Sequence, residues 1–282
     1  MHISKKSSIF APKFVFMRDF TLDTYRALLE CLQRHGYILI GFADYLKRKK
    51  QEGWSDERLV VLRHDVDARP ENSLKTAQVE HSLGIKATYY FRAPKGSSNG
   101  EGEIIRAIVR LGHEIGYHYE DLSLCNGDIA QAYAHFETYL RYFRQYYAVE
   151  TICAHGSPRS KYDNRDLWKA YDYRSLGIIG EPYLDTDFSD VLYLTDTGRR
   201  WDGYKTAVRD KIPQFQDTWT AKGWTWRTTA QLMEAIEKGS TPAHIMLTTH
   251  PQRWTNDMSL WYYEWLSQTV KNLVKRIRLM SE

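Results

Sequence analysis

The stretch Leu59-Val60-Val61-Leu62-Arg63-His64-Asp65-Val66-Asp67 combines the pattern of a buried β-strand with two acids that a buried strand should not carry. Its leading apolar residues predict a strand of a parallel sheet, and such sheets place their chemistry at the carboxyl ends of the strands. Side chains two positions apart on a strand point the same way, about 6–7 Å between Cα atoms. Both carboxylates can therefore face one cavity, and that arrangement suits one metal ligand and one general base. The alternative is a solvated turn, where aspartate is common.

Strand and helix patterns alternate along most of the chain, which predicts parallel crossover units. Short runs of β-branched and aromatic residues predict strands, and apolar residues at helical spacing predict the helices between them. Repetition of this unit favours an α/β fold with one barrel-like domain. The predicted strands cover 37–40, 59–62, 87–91, 113–118, 151–154, 191–194 and 244–248, and the predicted helices cover 22–35, 42–51, 70–83, 103–111, 128–147, 229–238 and 259–279.

The composition is typical of a soluble globular protein, since 43% of the 282 residues are hydrophobic and 26% are charged. A net charge of +4 with scattered Lys and Arg residues carries no nucleic-acid footprint. The three widely spaced cysteines predict reduced thiols in a cytoplasmic protein. We expect no secretory signal and no membrane span. The 20 Tyr and 9 Trp residues pack cores and also suit a carbohydrate site.

Polar residues gather where the predicted strands end. The carboxyl ends of parallel strands meet at one edge of a sheet, so these side chains should lie together. An acid and two imidazoles suit a divalent, zinc-like ion with open positions for water and substrate. The residues at four strand ends are Asp65 and Asp67, then His118 and Glu120, then His155, and finally His250.

Three motifs in this order resemble the polysaccharide deacetylase family, also called the NodB-homology or carbohydrate esterase family 4 proteins. They are RHDVD at 63–67, GHEIGYH at 112–118 and LTTHP at 247–251, and the resemblance runs from about residue 59 to residue 251. Within that family the chain resembles the divergent branch associated with surface-polysaccharide and O-antigen gene clusters, such as the WbmS-like proteins. The resemblance implies a distorted parallel (β/α)7-type barrel at 59–282, with an N-terminal extension at 1–58 packed on it as one structural domain.

The resemblance also implies roles for individual residues. The first acid of the family's leading motif is the catalytic base and the second is a metal ligand, which fall on Asp65 and Asp67. The histidine of the second motif is a ligand and falls on His118. The late histidine is the general acid and falls on His250.

One departure from the family pattern concerns the third metal ligand. The family has a second metal-binding histidine four residues after the first, and this chain has Leu122 there. Leucine cannot coordinate a metal. We predict His155 as the replacement, because it follows a neighbouring predicted strand and Gly156 lets the chain approach the cavity. Glu120 is the alternative.

Further residues are candidates for substrate binding. Tryptophans present flat faces to sugars, although core packing explains them as well. The arginine motif of the family is not clearly matched, and Arg92 and Arg159 are the candidates to balance Asp65. The predicted substrate-binding residues are Arg92, Trp201, Asp202 and Trp254, with Trp224 and Trp226 as further members of a sugar platform.

These observations predict a metal-dependent hydrolase, with zinc as the expected ion. It would remove an N-acyl group, with acetyl the expected one, from an amino sugar during surface polysaccharide, O-antigen or lipopolysaccharide synthesis. The substrate could be free, nucleotide-linked, lipid-linked or polymeric. Two alternatives are a metal-dependent hydrolase of a non-sugar amide and an inactive glycan-binding module.

Overall fold

A computed structural model describes residues 18–51, 54–94, 100–205, 207 and 209–280, with the backbone alone at 55, 205 and 274–280. The first 17 residues of the predicted extension and residues 95–99 of the chain lie outside the described residues. None of the described helices is both long enough and apolar enough to cross a membrane.

The described part of the chain forms one curled, fully parallel sheet, which confirms the predicted α/β fold of a distorted barrel. The strands follow the order β5-β4-β3-β2-β7-β6, and β1 pairs with the first half of β2. Consecutive β-α-β units build most of it. The strands are β1 Ile38–Ile40, β2 Leu59–Val66, β3 Thr88–Phe91, β4 Glu114–Tyr119, β5 Ile152–Ala154, β6 Leu192–Thr195 and β7 His244–Thr249.

Helices connect and cover the strands. The predicted helices are present, with ends that move by up to three residues. Helix α8 was not predicted, because Trp219 is its only fully buried side chain and its apolar spacing is weak. The helices are α1 Leu22–Arg34, α2 Phe42–Arg48, α3 Pro70–Ser82, α4 Glu101–Arg110, α5 Asp121–Leu124, α6 Ile129–Arg144, α7 Pro182–Asp185, α8 Pro213–Ala221, α9 Thr229–Glu237 and α10 Met258–Met280.

Strand β2 is the centre of the sheet, and all eight of its residues are buried. It pairs with β7 on one side, and with β1 and then β3 on the other. The strand continues through Asp65, which is 3% exposed. The alternative of a solvated turn at Asp65 is therefore wrong, and this carboxylate is held inside the fold.

The N-terminal region contributes to the same sheet. Ile38 pairs with Leu59, and helix α1 packs against helix α9. The division into an extension at 1–58 and a barrel at 59–282 stays a prediction.

On the helix side of the sheet, Glu80 forms the centre of a fully buried polar cluster. Its carboxylate accepts hydrogen bonds from the hydroxyls of Tyr25 and Tyr89, and His64 Nε2 lies 2.7 Å from Oε1. His113, which precedes β4, lies 3.5 Å from Oε2. Burial favours the neutral acid, but these imidazoles and Tyr25 lower the pKa of Glu80. The cluster anchors α3 to β2 on the face of the sheet opposite to Asp65.

Candidate active site

Asp67 lies at the centre of three histidines at the carboxyl end of the sheet. It follows β2 in a tight turn, with its N–H donating to the Asp65 carbonyl at 3.1 Å. Its Oδ1 lies 3.6 Å from His118 Nε2 and 3.4 Å from His155 Nε2. Its Oδ2 lies 3.8 Å from His250 Nε2. The structure therefore brings together the residues that the four strand ends carry.

The two imidazoles nearest Asp67 Oδ1 are fixed by hydrogen bonds at their other nitrogen. His118 Nδ1 lies 3.0 Å from the Cys153 carbonyl oxygen, which only a protonated Nδ1 can satisfy. His155 Nδ1 lies 3.1 Å from a Glu120 carboxylate oxygen. With Nδ1 held in this way, both imidazoles present Nε2 to Asp67, which is the arrangement of histidine metal ligands.

The donor set of Asp67, His118 and His155 fits a metal ion. One ligand atom from each lies within 4.8 Å of the others. Asp67 Oδ1 is buried and has no hydrogen-bond partner among the described residues, so a cation would satisfy it. Burial raises the pKa of Asp67, but His118, His155 and His250 together lower it well below its usual range. The carboxylate is therefore ionised and ready to coordinate.

A second possible donor set shares His118 with the first. Asp65, His118 and Cys153 also lie within 4.8 Å of one another and are all buried. Burial raises the pKa of the Cys153 thiol well above its ordinary value, although Arg63 opposes this. Arg63 Nη1 already donates to both Asp65 Oδ1 and the Cys153 sulfur, so a cation in this set would compete with a buried guanidinium. The set centred on Asp67 is therefore the better candidate.

Glu120 lies on the far side of His155 from Asp67. It pairs with Arg92, whose Nε donates to Oε1 at 2.9 Å, and with His155 Nδ1. Burial raises the pKa of Glu120, but His155 and Arg92 outweigh it and lower the pKa to about 2. Glu120 thus orients His155 as an ionised carboxylate. Beside them Ser157 has a φ of +37°, which is uncommon for a non-glycine residue and frequent at functional sites.

Asp65 is balanced by Arg63, two residues earlier on the same strand. Arg63 is fully buried, and its Nη1 donates to Asp65 Oδ1 at 3.2 Å. Its Nη2 donates to the hydroxyls of Tyr183 and Tyr193 at 3.0 Å each. Arg92 and Arg159 were the wrong candidates for this role, since Arg92 pairs with Glu120. The correct arginine stands inside the first motif, where its spacing of two places it on the face of Asp65.

His250 is held by Asp196, a residue that the sequence analysis missed. His250 Nδ1 lies 2.6 Å from Asp196 Oδ1, and the His250 backbone N–H donates to Oδ2 at 2.9 Å. Trp254 Nε1 donates to the same carboxylate at 2.7 Å, and Arg253 also pairs with it. Burial raises the pKa of Asp196, but Arg253 and His250 lower it. Asp196 directly follows β6, so its place at a strand end was the sequence feature that could have identified it as a site residue.

Three of the predicted substrate-binding residues, Trp201, Asp202 and Trp254, are held inside the fold. Trp254 is fully buried and its Nε1 donates to Asp196. Trp201 is 3% exposed, and its Nε1 donates to the Thr229 hydroxyl at 3.0 Å. Asp202 is buried and pairs with Arg200. None of these residues is among the described residues that line the cavity at Asp67. Trp201 and Trp254 therefore pack in the core, which is the alternative to sugar binding given for them above.

The cavity at Asp67 has a volume of about 160 Å³. That is roughly the space of five water molecules, at about 30 Å³ each in the liquid. It accommodates an acyl group with the atoms next to it. Its lining includes Asp65, Asp67, His118, His155, His250, Arg253, Asp163, Arg165, Tyr183, Thr197, Arg209 and Asp210.

Comparison with known proteins gives little help. No protein-family model matches the chain, and no curated protein matches it. The solved structures that match include a family 4 carbohydrate esterase from Bacillus anthracis. It is 13% identical with a TM-score of 0.36, and the match covers 55% of this chain and 67% of that chain. A likeness this distant leaves the function to be argued from the residues of the chain itself.

Proposed function

We propose that this chain is a metal-dependent hydrolase that removes an N-acyl group, acetyl in the simplest case, from an amino sugar. The observation that carries the proposal is the convergence of Asp67, His118 and His155, with Asp65 and His250 lining the same cavity. A metal site with a carboxylate and an imidazole beside it provides the parts that hydrolysis of an amide requires.

Asp67, His118 and His155 would hold the ion. One oxygen and two nitrogen ligands suit zinc and leave positions open for water and substrate. When bound, the ion would polarise the acyl carbonyl and lower the pKa of a water molecule. Glu120 keeps His155 oriented, and the Cys153 carbonyl does the same for His118.

The remaining residues of the site move protons. Asp65, whose Oδ1 lies 3.2 Å from Arg63 Nη1, takes a proton from the attacking water. His250, held by Asp196 with its Nε2 towards Asp67, gives a proton to the departing nitrogen. Without that proton the amine is a poor leaving group at neutral pH. The products are a carboxylic acid and an amino sugar.

The substrate class is supported by two further observations. The cavity of about 160 Å³ suits the acyl end of a larger molecule. The motifs at 63–67, 112–118 and 247–251 resemble those of polysaccharide deacetylases. A role in synthesis of a surface polysaccharide rests on that resemblance alone.

The test is release of acetate from a panel of N-acetylated amino sugars, with 4-nitroacetanilide as a non-sugar amide. We expect zinc-dependent turnover that a chelator abolishes and zinc restores. Asp65→Asn should lower kcat by at least about 100-fold while keeping the metal. Turnover of the anilide alone would contradict the sugar substrate. Sugar binding without turnover in the zinc-loaded protein would replace the hydrolase with a glycan-binding module.

A further inference from the structure

A groove of about 480 Å³ lies beside the catalytic cavity. The two spaces share Arg165, Tyr183 and Arg209 in their walls. Tyr183 is fixed at this boundary, because its hydroxyl donates to Asp210 at 3.1 Å and accepts from Arg63. A substrate whose acyl group lies in the catalytic cavity therefore has room to extend past Tyr183 into the groove.

Cations line the groove where it leaves the cavity. Lys211 is half-buried and has no carboxylate partner among the residues that the structure describes. The two Nη atoms of Arg209 donate to backbone carbonyls, among them Gly156 at 3.1 Å and Ser160 at 2.7 Å. Those contacts fix the guanidinium without neutralising its charge. The Lys211 N–H donates to the Arg209 carbonyl at 2.9 Å, so a tight turn holds the two residues together.

The third cation, Arg165, is already paired. Its Nε donates to Asp163 Oδ1 at 3.0 Å, and it lies 5.5 Å from the ring centre of Tyr183. Asp187 also lines the groove and is exposed to solvent. Two of the three cations are thus left to attract an anion into the groove.

Another part of the groove wall is apolar. Phe215 stacks on Trp219 with 6.0 Å between ring centres, which fixes its ring. Phe188, Ile212 and Pro213 complete this part of the wall. From the cavity outwards the walls therefore carry first the acyl site and then cations, and the same groove has an apolar surface.

From this order we propose that the substrate is a glycosyl phosphate or diphosphate. The phosphate would lie against Arg209 and Lys211, and its carrier would lie against Phe215. Arginine and lysine side chains bind phosphate through charge-assisted hydrogen bonds. A nucleoside and a lipid both present an apolar surface after the phosphate, so either could be the carrier. The inference rests on the proposed function, because it takes the N-acyl sugar to lie in the cavity.

The test is calorimetric binding to chelator-treated protein, in which a metal ion cannot supply the affinity. The probes are uridine 5′-diphosphate against uridine, and geranyl diphosphate against geraniol. We expect at least one diphosphate to bind about 20-fold or more tightly than its alcohol, and salt to weaken it. Lys211→Gln should weaken that binding about fivefold. Lys238→Gln is the control, because Lys238 pairs with Glu234 and lines neither space.

The two probe pairs distinguish the carriers. Preference for the uridine compound assigns a nucleotide, and preference for the geranyl compound assigns a lipid. The inference is overturned if neither diphosphate binds more tightly than its alcohol, or if Lys211→Gln binds as the wild type does. Zinc-dependent hydrolysis of neutral N-acetyl sugars with no diphosphate binding would overturn this inference alone. Diphosphate binding by a chain that holds no zinc would instead contradict the hydrolase.

Discussion

Replacement of Asp196 by Asn separates proton donation from metal binding. Asp196 is fully buried and accepts from His250 Nδ1 at 2.6 Å and from Trp254 Nε1 at 2.7 Å. Arg253 also depends on it for charge balance. An asparagine keeps the shape but removes the charge. Its single carbonyl oxygen cannot replace both carboxylate oxygens, which accept from His250 Nδ1 on one side and from the His250 N–H and Trp254 Nε1 on the other. His250 would then change tautomer or turn its ring, and Nε2 would no longer deliver a proton to the cavity.

The magnitude follows from these contacts. Loss of one partner of a buried ion pair costs about 3–5 kcal/mol of stability. For a chain of this size that corresponds to a fall in Tm of roughly 10 °C. Loss of an oriented general acid should lower kcat by about 10²–10⁴-fold. Because Asp196 raises the pKa of His250 against the effects of burial and Arg253, the alkaline limb of the pH profile should move to lower pH.

The assay is kcat with the substrate found in the acetate-release panel, together with zinc content and a melting curve. The variant should keep its zinc, because Asp196 is not in the donor set. Asp190→Asn is the matched control, since Asp190 pairs with His244 Nδ1 at 2.7 Å at the other end of β7. Folded, zinc-loaded Asp196→Asn with kcat within threefold of wild type would refute the role given to His250.

Three further results are expected from the buried charges. Burial raises the pKa of Glu181 to about 7, so the fold loses stability as Glu181 ionises between about pH 4.5 and pH 7. The unfolding free energy of Glu181→Gln relative to wild type should therefore rise by about 3 kcal/mol from pH 5 to pH 8. A difference that stays constant with pH in chemical denaturation would contradict this. Glu80→Gln should lower the unfolding free energy by about 2–4 kcal/mol in urea, because it breaks a buried cluster that includes His64. The zinc content should stay unchanged, because this cluster lies on the opposite face of the sheet from Asp65. Loss of zinc would show that the cluster shapes the metal site directly. Arg63→Lys should lower kcat at least about tenfold with zinc retained. A lysine ammonium cannot hydrogen-bond Asp65, Thr248 and the hydroxyls of Tyr183 and Tyr193 together. A variant with wild-type kcat would show that Arg63 is not needed for catalysis.

Residues at strand ends were predictable because parallel strands bring their carboxyl ends to one edge. Asp67 follows β2, His118 lies in β4 and His155 follows β5. The three side chains meet although 88 residues separate Asp67 from His155. The apolar run before Asp65 also fixed the central strand. In both cases a pattern within a few neighbouring residues was sufficient to predict the position, because parallel strands joined in the usual way bring these residues to the same edge of the sheet.

Partners that come from distant parts of the chain were not predictable. Asp196 is 54 residues before His250, and Tyr183 is 120 residues after Arg63. No local spacing indicates that such side chains touch. The same holds for Trp201 and Trp254, since an aromatic residue packs a core or lines a site with the same sequence signal.

The metal content of the purified chain decides whether the site at Asp67 exists. Wild-type protein, supplied with zinc and then dialysed, should retain about one ion per chain by elemental analysis. Asp67→Ala and His155→Ala should each lose it, whereas Asp187→Ala, which removes an exposed acid of the neighbouring groove, should keep it. A wild-type chain that retains no divalent ion would contradict the hydrolase, and retention by His155→Ala would remove His155 from the ligands.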